Sequence, residues 1–299
     1  MKKRLVMTIL VLAAFWMMAV GSGSSDGTTK EVTDTQDAVT TEESEEAEAD
    51  TVSVAIEEQV LINQDDIIIT AKELSEDDIW GTGVKLLIEN NSAADIGIGC
   101  NALIVNNYMI TDLFSTTVAA GKKVNETMYL SSAELEAAGV ENIGQIEIYF
   151  HTFDSDSYDT IADYDKVVIQ TSAFDTMDVK ALDDGKELVN QDGVRIVGKY
   201  VTEDSFWGAA VLLYVENTSG KNVSVSCDDM SINGFMMTPF FASTVYDGKM
   251  AIDEITLMSS ELEENGITSI DDIELKFEVY DTDSYSTIFE TEAISFSAQ

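Results

Sequence analysis

The sequence is short of histidine, cysteine, proline and positive charge. It has one His, two Cys and one Pro in 299 residues, and 16 Lys and Arg stand against 56 Asp and Glu. A single His excludes a two-His metal site within one chain, and any Ser–His–Asp or Cys–His unit would have to use His151. No nucleophile motif flanks that residue, so His151 reads as a solvent-facing strand residue. No phosphate-cradling loop, zinc-ligand spacing or catalytic serine elbow appears. These absences argue against an enzyme. The net charge of -40 repels nucleic acid and anionic lipid head groups. It suits divalent cations, basic partners or plain solubility.

No apolar run is long. The longest, Leu5 to Val20, is slightly short for a spanning helix. It follows the basic Met1-Lys2-Lys3-Arg4 and precedes small residues, with Ala19 and Gly21 placed for cleavage before Ser22. Residues 1–21 are therefore expected to be a secretory signal, with N-terminal membrane retention as the alternative if it is not cleaved. Ser22 stands where a lipoprotein signal carries its lipid-accepting Cys, so no lipid anchor is expected. Residues 22–58 are rich in Ser, Thr, Gly, Asp and Glu, and read as a disordered acidic tether.

What remains is a duplication. An ungapped offset of 127 carries Asn63-Gln64-Asp65 onto Asn190-Gln191-Asp192, Trp80-Gly81 onto Trp207-Gly208, and Glu89-Asn90 onto Glu216-Asn217. By count, about 40 of roughly 112 aligned positions are identical. Each copy is long enough to be a domain with its own core. In the first copy, short alternating runs cover 67–72, 84–89, 96–105, 108–114, 123–130, 145–153 and 160–170. Seven short strands at this spacing predict a β-sandwich. Asn106-Asn107 and Asn233-Gly234 supply two-residue hairpin turns. One helix per copy is predicted, with Ser132 or Ser259 as N-cap and Gly139 or Gly266 as the stop. The expected domains are 59–172 and 187–299. A linker, 173–186, joins them and contains no proline to stiffen it.

Several motifs carry a resemblance: the Trp-Gly before Leu86–Ser92, the Ala120–Lys123 turn, and Phe153–Ile161. Through these the copies resemble the immunoglobulin-like domains of extracytoplasmic proteins and lipoproteins from clostridia-type bacteria. The resemblance implies an all-β fold of two tandem immunoglobulin-like sandwiches. It implies little about activity. No Cys pair spans one copy, unlike in antibody domains: Cys100 and Cys227 occupy the same position, one per copy, and read as buried core thiols.

Candidate contact residues follow from the loops. Trp80 and Trp207 are the most regular aromatics; each is read as closing the end of a core, with a partner anchor as the alternative. Tyr158 and Tyr285 sit in acidic turns, where Asp154, Asp156, Asp281 and Asp283 offer oxygen ligands to Ca²⁺. The EF-hand spacing is absent, and capping of the turn backbone is the plainer reading. Met109 and Met236 are assigned to the core, and Met237 and Phe240 to packing between the copies or to a partner patch. The chain is expected to be an exported, non-catalytic surface or secreted binding module for a protein or glycan ligand. Its alternatives are a structural spacer or a Ca²⁺-stabilised pair.

Overall fold

Alternation decides the strands. Along 145–154, Ile146, Ile148, Phe150 and Thr152 are buried on one face, and the intervening residues point the other way. The computed structural model describes residues 54–205 and 208–297. The predicted signal, nearly all of the tether, and Trp207 lie outside them. In the first copy one sheet orders β1 (Gln59–Gln64), β2 (Ile67–Asp77), β3 (Gly81–Asn90) and β7 (Lys123–Tyr129). The facing sheet is built on β4 (Ile96–Val105) and β8 (Gln145–Asp154), flanked by β5 (Tyr108–Ile110), β6 (Ser115–Val118), β9 (Thr160–Asp163) and β10 (Val167–Gln170). The chain crosses between sheets from β3 to β4, from β6 to β7, and from β7 to β8 through helix α1 (Ser132–Ala137). This is the immunoglobulin-like Greek key.

The second copy repeats it. Its first sheet is β11 (Lys186–Gln191), β12 (Val194–Ser205), β13 (Gly208–Asn217) and β17 (Lys249–Met258). Its second is β14 (Val223–Ile232) and β18 (Asp272–Asp281), flanked by β15 (Phe235–Met236), β16 (Ala242–Val245), β19 (Thr287–Glu290) and β20 (Ile294–Ser297). Helix α2 (Ser259–Glu264) precedes β18. The protein is therefore all-β, two sandwiches in tandem.

Details differ from the sequence reading. A strand precedes the predicted first one, and the runs 108–114 and 160–170 each break. Helix α1 is capped by Ser131, whose Oγ accepts from the Glu134 N–H, one residue before the expected Ser132. Helix α2 takes Met258 at that position, with no side-chain cap. The glycine stops hold, both in left-handed backbone.

The Glu-Asn motif has a structural cause. Asn90 is fully buried, and its Nδ2 donates to Ala94 O and Val118 O, each at 2.8 Å. Its Oδ1 accepts from Ser92 N and Ser92 Oγ. Asn217 repeats every bond, with Lys221 O and Val245 O at 2.7 Å and Ser219 as donor. Each Asn ties the β3-to-β4 or β13-to-β14 crossing to a neighbouring strand. Asn90→Ala or Asn217→Ala should each cost about 2–3 kcal/mol by urea unfolding, because buried carbonyls lose their donor.

Two hydrophobic cores form, one between each pair of sheets, but the first is not self-contained. It takes in Val197, Tyr214, Met250 and Ile252 of the second copy. The backbone is continuous there too: β5 pairs with β17 in parallel, Tyr108 against Met250, and Met250 N donates to Asn107 O at 3.0 Å. The linker lies in the same junction. Lys180 O accepts from the Tyr108 hydroxyl, and Leu182 N donates to it.

Candidate functional site

The outward-facing residues of β8 are Glu147, Tyr149, His151 and Phe153, and they form one row across the first copy's second sheet. The junction covers one end. There Glu147 is 2% exposed, and its Oε1 accepts from Lys249 Nζ at 2.6 Å while Lys166 Nζ lies 3.1 Å from Oε2. Burial by itself would raise this carboxyl, but hydrogen bonds from Lys249 and Lys166 outweigh it and hold it below its ordinary value. Lys249 Nζ also donates to Asn107 Oδ1. Tyr149 meets Tyr246 edge-on, with ring centroids 4.8 Å apart.

Beyond the junction the row is open. His151 and Phe153 lie opposite Gly99 and Gly97 on β4. A Cβ at Gly97 would sit 2.2 Å from the Phe153 ring, and one at Gly99 2.6 Å from that of His151. Glycine is thus required for the rings to lie down on the sheet. The His151 and Phe153 centroids are 5.7 Å apart, and Tyr158 stacks on Phe153 at 5.9 Å with an 18° interplanar angle. Tyr158 is 75% exposed and takes left-handed backbone, at the turn where its N–H bonds Asp154 O. The result is an aromatic strip of Tyr246, Tyr149, His151, Phe153 and Tyr158. The second copy carries Ser224 and Ser226 in place of the glycines, and Lys276, Glu278, Tyr280 and Tyr285 in place of Tyr149, His151, Phe153 and Tyr158.

His151 is half-buried, a correction to the solvent-facing reading: its Nδ1 is buried without a hydrogen-bond partner. Burial lowers its pKa, partly countered by Asp163. The base therefore stays neutral around pH 7.

The other candidates scatter. Trp80 does not close a core; it is 59% exposed on the β2–β3 turn, where Asp77 Oδ1 accepts from the Ile79 and Trp80 N–H groups. Its ring leans on Tyr129 at 6.0 Å. Tyr285 is 83% exposed. Phe240 is 64% exposed, with its backbone bridged to Thr256 on β17 of its own copy, so it is not the inter-copy packing residue expected. Met237 is buried in the second core, whereas Met236, assigned to the core by alternation, is 64% exposed. Its counterpart Met109 reaches across and packs on the second core.

The acidic turns are used internally. Asp154 Oδ1 accepts from Asp156 N and Ser157 N, and Asp281 Oδ1 accepts from Asp283 N and Ser284 N. Lys221 lies 2.9 Å from Asp281 Oδ2; this bond and the turn amides hold the carboxyl down to about 2. Among the described residues no cluster of three or more His, Cys, Asp or Glu is arranged to hold a metal ion. With no such cluster, millimolar Ca²⁺ should leave the melting temperature unchanged. Cys227 is buried and Cys100 half-buried, both free, and burial pushes each thiol up to about 12.

The strip itself was missed in the sequence. Its signal was present: aromatics alternating at 149, 151 and 153, against glycines alternating at 97 and 99, in one copy and not the other.

No protein-family model matches the chain, and no curated protein matches it in sequence. Among solved structures, the Salmonella enterica SafA pilin in complex with the SafB chaperone aligns at 10% identity and a TM-score of 0.20, over 72% of this chain and 88% of that one. A protein of unknown function from Porphyromonas gingivalis W83 aligns at 9% identity and a TM-score of 0.21, over 82% and 96%. At such scores the fold rests on the sheet topology described above and not on these likenesses.

Proposed function

We propose that the chain is an exported, non-catalytic binding module whose first copy carries the ligand surface, the second acting as its rigid neighbour. One observation carries this reading. His151, Phe153 and Tyr158 form a row of rings on a sheet face cleared by Gly97 and Gly99, whereas in the second copy Glu278 replaces the His151 ring, serines replace both glycines, and only Tyr280 and Tyr285 remain aromatic. Ring rows of this kind present apolar faces with few rotamers to freeze, which suits stacking against sugar rings or peptide aromatics. The signal-like N-terminus and the acidic stretch after it support a place outside the cytoplasmic membrane. A protein or glycan ligand is the expected partner. Immobilised mucin, chitin oligosaccharides and peptidoglycan fragments are suitable probes. A Phe153→Ala, Tyr158→Ala chain should lose at least about tenfold in affinity, a loss of about 1.4 kcal/mol. Tyr285→Ala should bind as the parent does. If both variants bind equally, the strip is not the ligand surface.

A further inference from the structure

The contact between the two copies is made by unlike faces. The first copy offers its β5 edge, with Tyr108, Met109 and the carboxylate of Glu147; the second receives it on the β17 edge, with Met250 and Lys249. Because the copies share one fold, each also carries the face that the other uses, and both of those faces remain unpaired among the described residues. On the second copy the presenting face is β15. Phe235 and Met236 are 47% and 64% exposed there, at the positions of Tyr108 and Met109. On the first copy the receiving face is the outer edge of β7, the last strand of its sheet.

The charged pair is kept as well. Glu274 stands where Glu147 does, and Lys122 where Lys249 does; both are exposed, and neither forms a salt bridge among the described residues. Lys72, Lys85 and Lys123 are already paired on their own sheet, with Glu58, Glu73 and Glu89, so Lys122 is the cation this edge offers to Glu274 of the presenting end. We propose that a second copy of this chain docks here, the β15 edge of one molecule on the β7 edge of the next, repeating between molecules the contact that joins the two sandwiches within one.

Such a contact is heterologous, so it does not close into a dimer and builds head-to-tail strings. It is also weaker than its internal model. Lys123, Asn125 and Lys85 replace Met250, Ile252 and Leu212, so the interface is wetter and exchanges readily. That difference fits a contact made between chains and not fixed within one.

The test is sedimentation velocity on the full chain from about 1 to about 300 µM, the range in which contacts of about 6–8 kcal/mol appear. The weight-average mass should climb with concentration and pass the dimer. Phe235→Glu, Met236→Glu changes only exposed positions and should hold the chain monomeric with an unchanged far-UV spectrum. Glu274→Lys and Lys122→Glu should each weaken association at least about tenfold alone, by placing like charges opposite each other. Mixed in equal amounts, the two variants should associate again, because each offers the other an opposite charge. A parent chain that stays monomeric throughout, a mass that stops at dimer, or association indifferent to these changes would each overturn the proposal. None of these residues lies on the ring strip, so failure here leaves the ligand reading standing.

Discussion

Lys249→Met should destabilise the protein by about 3–5 kcal/mol, far more than a surface lysine is worth, because it strands a carboxylate inside the junction. Glu147 is almost wholly buried, and Lys166, its remaining cation, is 42% exposed. Replacing both partners, Glu147→Leu with Lys249→Met, should recover most of the loss, since two apolar groups can occupy the space without an unpaired charge. The dependence on pH has a definite sign. Glu147 has a folded pKa below its ordinary 4.5, so its contribution is complete above that value and is lost as pH falls through the lower one. The junction should therefore loosen progressively as the pH falls below 4.5 in the parent, and the double variant should lack that acid-sensitive step. Urea melts at pH 7 and pH 3.5 measure both effects. A Lys249→Met chain as stable as the parent would mean that water already reaches Glu147.

The strands were legible because their period is local. Ile146, Ile148 and Phe150 announce a buried face whatever lies across from them, and the duplication doubles every such signal. The turns were legible for the same reason: Asn106 and Asn233 adopt positive φ, and each side-chain Oδ1 accepts from two backbone amides of the next crossing. The junction was not legible. Tyr108 and Phe235 occupy the same place in the pattern, yet one is 1% exposed and the other 47%, because only one has a neighbouring sheet to cover it. Alternation tells which side of a strand a residue takes, not what will lie against that side. Trp80 fails the reading for a related reason: Asp77 fixes a tight turn and leaves the ring outside. The aromatic strip needed two strands read together, since the glycines that seat the rings are some fifty residues away on β4.

The sharing of the first core makes a second prediction, about which copy supports which. Phe150 and Phe277 are equivalent residues, both fully buried, each edge-on to a second Phe at 6.4 Å. Truncating either to Ala should cost its own copy about 3–5 kcal/mol. The consequences for the other copy should differ. Val197, Tyr214, Met250 and Ile252 belong to strands whose opposite face builds the second core, and they cover part of the first. When the second copy unfolds, the first loses that cover along with the Lys249 ion pair. When the first unfolds, the second core gives up little beyond Met109. Phe277→Ala should thus reduce hydrogen-exchange protection in β8 as well as β18. Phe150→Ala should open β8 and leave β18 nearly at its parent level. Adding Glu147→Leu and Lys249→Met does not remove the apolar cover, so the asymmetry should persist in that background. Equal and purely local losses in the two variants would show that the sandwiches stand independently and that the junction carries none of the first copy's stability.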